Sequence, residues 1–188
     1  MRTIINLIGI FLLSFASLQG QQSEKRTLEL SSSQINWTGY GAIGGYSLSG
    51  TLNFAQDSFL IFEADRLVAG TLVFDMKSIA HENKQLVKHL KDKDFFEVKK
   101  YAQARFKIED VIEGKIKGKL TIKGITKTIE VPFEETTDAV GKKINGEIAV
   151  DRTQFGINYN SDSFFKNLGS NAIKDKFDVK FSLQLKRK

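Results

Sequence analysis

The chain contains no cysteine. A disulfide framework, a thiolate nucleophile and a Cys-ligated zinc or iron–sulfur centre are thereby excluded, and stability rests on packing alone. Histidine is scarce. His81 and His89 are the only two, and their separation is not the i, i+3 or i, i+4 spacing of helical metal ligands. No G-x-S-x-G elbow occurs; Gly45-Tyr46-Ser47-Leu48-Ser49-Gly50 comes near it but reads as strand. Beyond the first twenty residues there is no long apolar run, internal repeat, low-complexity tract or domain linker. The glycines are scattered, which excludes a collagen-like chain, and a 41% hydrophobic content excludes a disordered one. At 188 residues, one domain around one core is expected.

What is present begins with a leader-like segment. Arg2 precedes a mostly apolar run from Ile4 to Leu18, followed by Gln19-Gly20 and a polar stretch. This is the layout of a secretory signal peptide, so residues 1–20 are expected to be removed and 21–188 to form the domain. The run is shorter than the ~20 residues that cross a bilayer, and Asn6 and Ser14 interrupt it. No cysteine follows it to accept a lipid. The expected localisation is periplasmic or secreted, with no membrane span after cleavage. Loss of Arg2 leaves 27 basic against 22 acidic residues, a net charge of +5.

From residue 27 onward the dominant pattern is alternation, the mark of strands with one buried face. Ile116, Gly118, Leu120 and Ile122 alternate with Lys115, Lys117, Lys119, Thr121 and Lys123. The same holds for Ile129/Val131/Phe133, Ile144/Gly146/Ile148/Val150 and Phe177/Val179/Phe181/Leu183/Leu185. Earlier runs are Ile35/Trp37, Leu48/Gly50/Leu52/Phe54, Val68/Gly70/Leu72/Phe74/Met76 and Phe106/Ile108. One amphipathic helix is expected over 82–91, where Leu86, Val87 and Leu90 lie at helical offsets. Residues 158–174 read as a long irregular connection, the kind that often carries function. About eight or nine one-faced strands imply a sheet closed or folded on itself; periodicity does not separate barrel from sandwich.

Several motifs reduce to structure. Gly39-Tyr40-Gly41-Ala42-Ile43-Gly44 matches G-x-G-x-x-G, but a strand and not a helix follows it, so a barrel bend is the better account. The lysines at 115, 117, 119 and 123 share one outward face without interleaved aromatics, a solvated surface and not a nucleic-acid platform. Fifteen phenylalanines, largely on inward positions, are compatible with a packed core or with an apolar cavity.

Specific strings carry a resemblance. Gly70-Thr-Leu-Val-Phe-Asp-Met-Lys-Ser-Ile79, then Lys88-His-Leu-Lys-Asp-Lys-Asp-Phe-Phe-Glu-Val98 with Tyr101 and Phe106, resembles the signature region of the YceI-like family. Gly118 to Lys127, Asp151 to Ile157 and Ile173 to Asp175 are similar to further family segments in the same order, and Trp37 to Gly39 with Ser163 to Gly169 resembles a secreted Bacteroidetes-type subgroup. The chain departs from the family where Ala102 follows Tyr101 in place of proline, and in the glycine-rich segment 41–46.

The resemblance implies an all-β, eight-stranded antiparallel lipocalin-like β-barrel with one short amphipathic helix. It also implies a binding protein, not an enzyme, holding a polyisoprenoid or similar long-chain amphiphilic lipid. Trp37, Leu52, Phe54, Phe74, Phe106, Leu120, Ile148, Phe177 and Phe181 are expected to line the interior. His89 and Arg152 are candidates for contact with a head group at the mouth. For Arg152 the competing role is a salt bridge to Asp151, Asp94 or another carboxylate. No cofactor, metal or catalytic residue is expected, and homodimerisation is left open. The alternative is a barrel filled by its own side chains, acting as a structural or protein-interaction module with an exposed patch around Phe164 and Phe165. A hydrolase reading would depend on His89.

Overall fold

Alternating side chains build ten antiparallel strands among the residues described by the computed structural model, 22–112 and 114–185. They are β1 Ser23–Thr27, β2 Gln34–Tyr40, β3 Ser47–Phe54, β4 Phe59–Glu63, β5 Arg66–Ala80, β6 Gln103–Ile112, β7 Lys115–Ile122, β8 Ile125–Thr137, β9 Lys142–Asp151 and β10 Lys176–Gln184. The expected signal segment lies outside the described residues. Eight strands close into a barrel: β5, β3, β2, β10, β9, β8, β7 and β6 are successive neighbours, and β6 pairs back onto β5. Closure leaves no unpaired edge among them. β4 continues along the edge of β5 that β3 occupies, and β1 pairs with β4. β1/β2 and β3/β4 are therefore two barrel strands, each broken once. No helix among the described residues is long and apolar enough to cross a membrane.

The breaks have local causes. Between β3 and β4 the Ser58 hydroxyl accepts from the Val73 N–H at 3.0 Å and donates to the Val73 carbonyl at 3.1 Å, replacing a missing strand partner. On β5 two irregularities in the pairing shift the inward set, so that Leu67 and Ile79 are buried alongside Gly70, Leu72 and Met76. The sequence pattern placed Val68 inward; it is half-buried. Gln184, expected on the polar face of β10, is buried and its side-chain amide donates to the Lys142 carbonyl.

Helix α1 spans Lys84–Lys91, starting two residues later than expected. Asn83 sets the start, its side chain accepting from the N–H groups of Gln85 and Leu86 at 2.9 and 3.1 Å. The helix lies between β5 and β6, at the barrel end that also carries the β2–β3, β7–β8 and β9–β10 connections.

The opposite end is plugged. Leu28, Leu60, Phe62, Leu67, Ile144, Leu183 and Leu185 are all buried there. The Phe62 ring is flanked by the Arg26 guanidinium at 4.8 Å and the Lys142 ammonium at 5.2 Å from its centroid. Both cations pair with Asp65, at 3.1 and 3.0 Å, while Arg26 also meets Glu24 and Lys142 meets Glu135. Asp65 sits with Ala64 in the two-residue turn between β4 and β5, both at positive φ.

Three inward glycines shape the wall of the other half. A Cβ on Gly50 would lie 2.3 Å from the Trp37 ring, one on Gly146 2.3 Å from the Phe181 ring, and one on Gly118 2.8 Å from the Phe106 ring. Each ring therefore occupies the space a neighbouring side chain would take, leaning along the sheet instead of only projecting to the barrel axis.

Two outcomes follow from these contacts. Gly118→Ala, whose Cβ would also stand 2.3 Å from the Lys107 carbonyl oxygen, is expected to lower stability by about 1–3 kcal/mol through overpacking, read as a lower denaturant midpoint. Lys142, then Arg26, hold the Asp65 carboxyl below its ordinary pKa. Its contribution is thus present above the unfolded carboxylate pKa and lost as pH falls through the folded one. Asp65→Asn, tolerated at positive φ, should cost at most about 1 kcal/mol at neutral pH for so exposed a pair. The gap to wild type should close below roughly pH 4 in urea melts.

Candidate functional site: an apolar lumen with one mouth

Above the plug the barrel is hollow. The lumen has a volume of about 220 Å³, whereas a single water needs only about 10–15 Å³ of such space. Along β2 and the residue that follows it the wall extends from Ile35 to Gly41, six steps or about 20 Å of extended chain. All nine residues expected on the interior, Trp37, Leu52, Phe54, Phe74, Phe106, Leu120, Ile148, Phe177 and Phe181, stand on this wall. Each comes from the inward set of its strand. The lone tryptophan is oriented by its indole N–H, which donates to the Thr51 carbonyl at 3.2 Å.

Other wall residues were not anticipated. Met76, Ile116 and Ile122 sit on the same inward alternation and were available from it. Leu86 and Leu90 reach the lumen from the apolar stripe of α1. Phe95 and Phe96 follow the helix in a non-periodic turn, and Tyr46 lies in the glycine-rich β2–β3 connection, so no period marks them.

Polar atoms on the wall concentrate at the helix end, where Tyr40, Arg152 and Lys174 stand. Arg152 is 3% exposed. Its Nε donates to the Lys174 carbonyl at 3.2 Å, Nη1 to the carbonyls of Ile157 and Tyr159 at 2.9 Å each, and Nη2 to that of Ile173 at 3.0 Å. The Asp175 carboxylate lies 3.8 Å from Nη2. This geometry ties both arms of the 157–174 connection together through main-chain carbonyls, with Asp175 the nearest carboxylate, while Arg152 also stands on the lumen wall. Burial lowers the guanidinium pKa, and Asp175, Asp162 and Asp151 oppose that shift. The Ser161 hydroxyl donates to Asp175 in turn. Beside this knot the Tyr40 hydroxyl donates to Asp178, which raises the phenol's pKa.

His89 is not on the wall of the lumen. Its ring packs against Tyr159 and Phe95, with centroids 4.4 and 5.1 Å away, and its Nε2 is buried without a hydrogen-bond partner. Arg152 stacks over the same Phe95, 5.8 Å from the centroid. The two head-group candidates thus belong to one aromatic cluster at the mouth. The rim is closed by backbone contacts between connections: the Ala42 N–H donates to the Ala172 carbonyl at 2.8 Å, and the Lys174 N–H to the Tyr40 carbonyl at 3.0 Å. The G-x-G-x-x-G string ends β2 and forms this rim, with no helix behind it.

Comparison with known proteins agrees with this architecture. The crystal structure of BcnA from Burkholderia cenocepacia superposes with a TM-score of 0.69 at 21% identity, over 83% of this chain and 98% of that one. A structure described as a polyisoprenoid-binding domain from Saccharophagus degradans gives 0.65 at 13% identity, over 87% and 98%. The Campylobacter jejuni YCEI protein gives 0.52 at 16% identity, over the whole of both chains. A UPF0312 protein of Staphylococcus aureus is 36% identical over 90 residues, 44% of this chain and 53% of the relative. The chain spans about half the length of the curated relatives it matches. The family model described as the YceI-like domain matches residues 27–185, which takes in β2 to β10, and the chain belongs to the YceI-like family.

Proposed function

We propose that this protein is an exported carrier or store for a polyisoprenoid or similar long-chain amphiphile, held with its tail in the lumen and its polar end at the mouth. The observation that carries the reading is the lumen itself: an apolar tube, plugged at one end, with its polar groups gathered at the other. Such a site binds by burial, at ~25 cal/mol per Å² of apolar area before ordering costs, and makes no directional demand on the tail. The neighbour from Saccharophagus degradans, described as polyisoprenoid-binding, supports the same ligand class. A filled barrel would leave the aromatic wall without a void; the 220 Å³ lumen favours a hollow one.

The nine wall residues hold the tail. At the mouth, Arg152 acts as a positioning residue. His89 Nε2 and Asn158 Oδ1, buried behind the lumen wall without hydrogen-bond partners, are polar atoms that a head group would reach only if the aromatic cluster shifts. The leader-like residues 1–20 support export.

Native mass spectrometry of the purified protein, with organic extraction of what it carries, tests the reading. A long-chain isoprenoid or related lipid at up to one per chain is the expected result. A ligand-free protein that also takes up no added polyprenol would overturn it. Arg152→Lys keeps the charge but loses the fork of donors. It should lose about 3 kcal/mol of stability while occupancy per folded molecule is unchanged. Unchanged stability with lost lipid would instead make Arg152 a direct head-group contact.

A further inference from the structure

Apolar side chains exposed to solvent are unevenly distributed. Of nine large ones among the described residues, seven lie at the barrel end that carries the mouth: Ile43, Tyr46, Leu48, Ile125, Tyr159, Phe164 and Phe165. Ile43, Phe164 and Phe165 are each more than half exposed, at 57%, 57% and 51%. They extend from two connections that are hydrogen-bonded to each other, since Ala42 donates to Ala172 and Gly41 bridges Ile173. Tyr46 belongs both to this patch and to the lumen wall, so the exposed apolar surface is continuous with the interior.

Charge around the patch has a modest cationic excess: across residues 41–46, 81–102, 123–125 and 159–175 there are nine lysines against six carboxylates, Glu82, Asp92, Asp94, Glu97, Asp162 and Asp175. Lys84 and Lys88 project from the exposed face of α1, whose other face supplies Leu86 and Leu90 to the lumen. Protruding aromatic and aliphatic tips within a lysine-bearing rim form the pattern that seats a protein in an anionic bilayer interface. A protein partner would explain the exposed tips, but not their continuity with a lumen open at the same place.

We propose that the mouth of the barrel docks on an anionic lipid surface. Ile43, Phe164 and Phe165 insert among the acyl chains while the lysines meet lipid phosphates, and the lumen opens toward the membrane. The proposal rests on the lipid-binding reading for its purpose, but docking and loading can be measured apart. Residues 22–185 close their own sheet around one buried apolar cluster, so the chain from Gln21 onward is the form to use.

The test is flotation with phosphatidylcholine vesicles and with phosphatidylcholine–phosphatidylglycerol vesicles. The protein is expected to float with the anionic vesicles, less with the neutral ones, and less as salt rises. Ile43→Ser/Phe164→Ser/Phe165→Ser should lower partitioning on the order of a hundredfold, each lost apolar tip removing burial worth several-fold in affinity. The same variant should still load polyprenol presented in detergent, followed by fluorescence of the single Trp37 on the lumen wall. Equal flotation of variant and wild type, or none by either, would overturn the docking surface. So would sedimentation showing that the substitutions abolish self-association instead of vesicle binding. Flotation without any response of Trp37 to polyprenol would leave the docking surface standing and count against the lipid-binding reading.

Discussion

An eight-stranded barrel has little width to spare: its interior is just broad enough for its own side chains to fill. A lumen exists in such a barrel only where large side chains are kept against the wall. Here Trp37, Phe106 and Phe181 each lean over a glycine on a neighbouring strand, Gly50, Gly118 and Gly146, at distances no Cβ could share. The glycines therefore do more than relieve crowding between strands. They let a core built from aromatic residues be hollow along the axis while its rings remain packed.

The same constraint divides the barrel along its length. At the end where β1 and β4 extend the wall, aliphatic side chains and Phe62 fill the interior, and an ion-pair cluster around Asp65 covers it. At the other end, connections replace strands, and one buried arginine ties them down. Arg152 supplies four N–H groups to four carbonyls of the 157–174 connection, giving partners to main-chain groups in a segment held by isolated bridges and not by a ladder. Its burial is tolerable because those carbonyls and Asp175 replace water around the charge. A loop held this way can present Phe164 and Phe165 to solvent while its base stays fixed to β2 through Ala172 and Lys174.

Much of this was readable from side-chain alternation. Inward positions on β7 and β9 follow period two without interruption, as do those on β10 up to Leu183, and the nine residues singled out from alternation stand on one cavity wall. The pattern failed where hydrogen bonds of local origin add residues to a strand. Leu67 and Ile79 on β5 are buried out of phase at the two pairing irregularities. The one before Ile79 is held by the Ser78 hydroxyl, which accepts from the Asn53 N–H and donates to the Asp75 carbonyl, contacts that no period describes. Arg152 was visible as a charged residue near the mouth, but its partners are main-chain carbonyls, which every residue carries and no sequence pattern marks. Whether the phenylalanines enclosed a void depended on ring orientation over the glycines, a matter of packing geometry beyond the reach of alternation.

The central claim is that the upper half of the barrel is held open for an apolar chain. A crystal structure of the protein as isolated measures this most directly. The account predicts continuous, elongated density running from the Tyr46 rim past Trp37 and Phe106 toward Ile116, with the three rings still resting over Gly50, Gly118 and Gly146. Rings turned into the axis and a lumen closed by the protein's own side chains would contradict it.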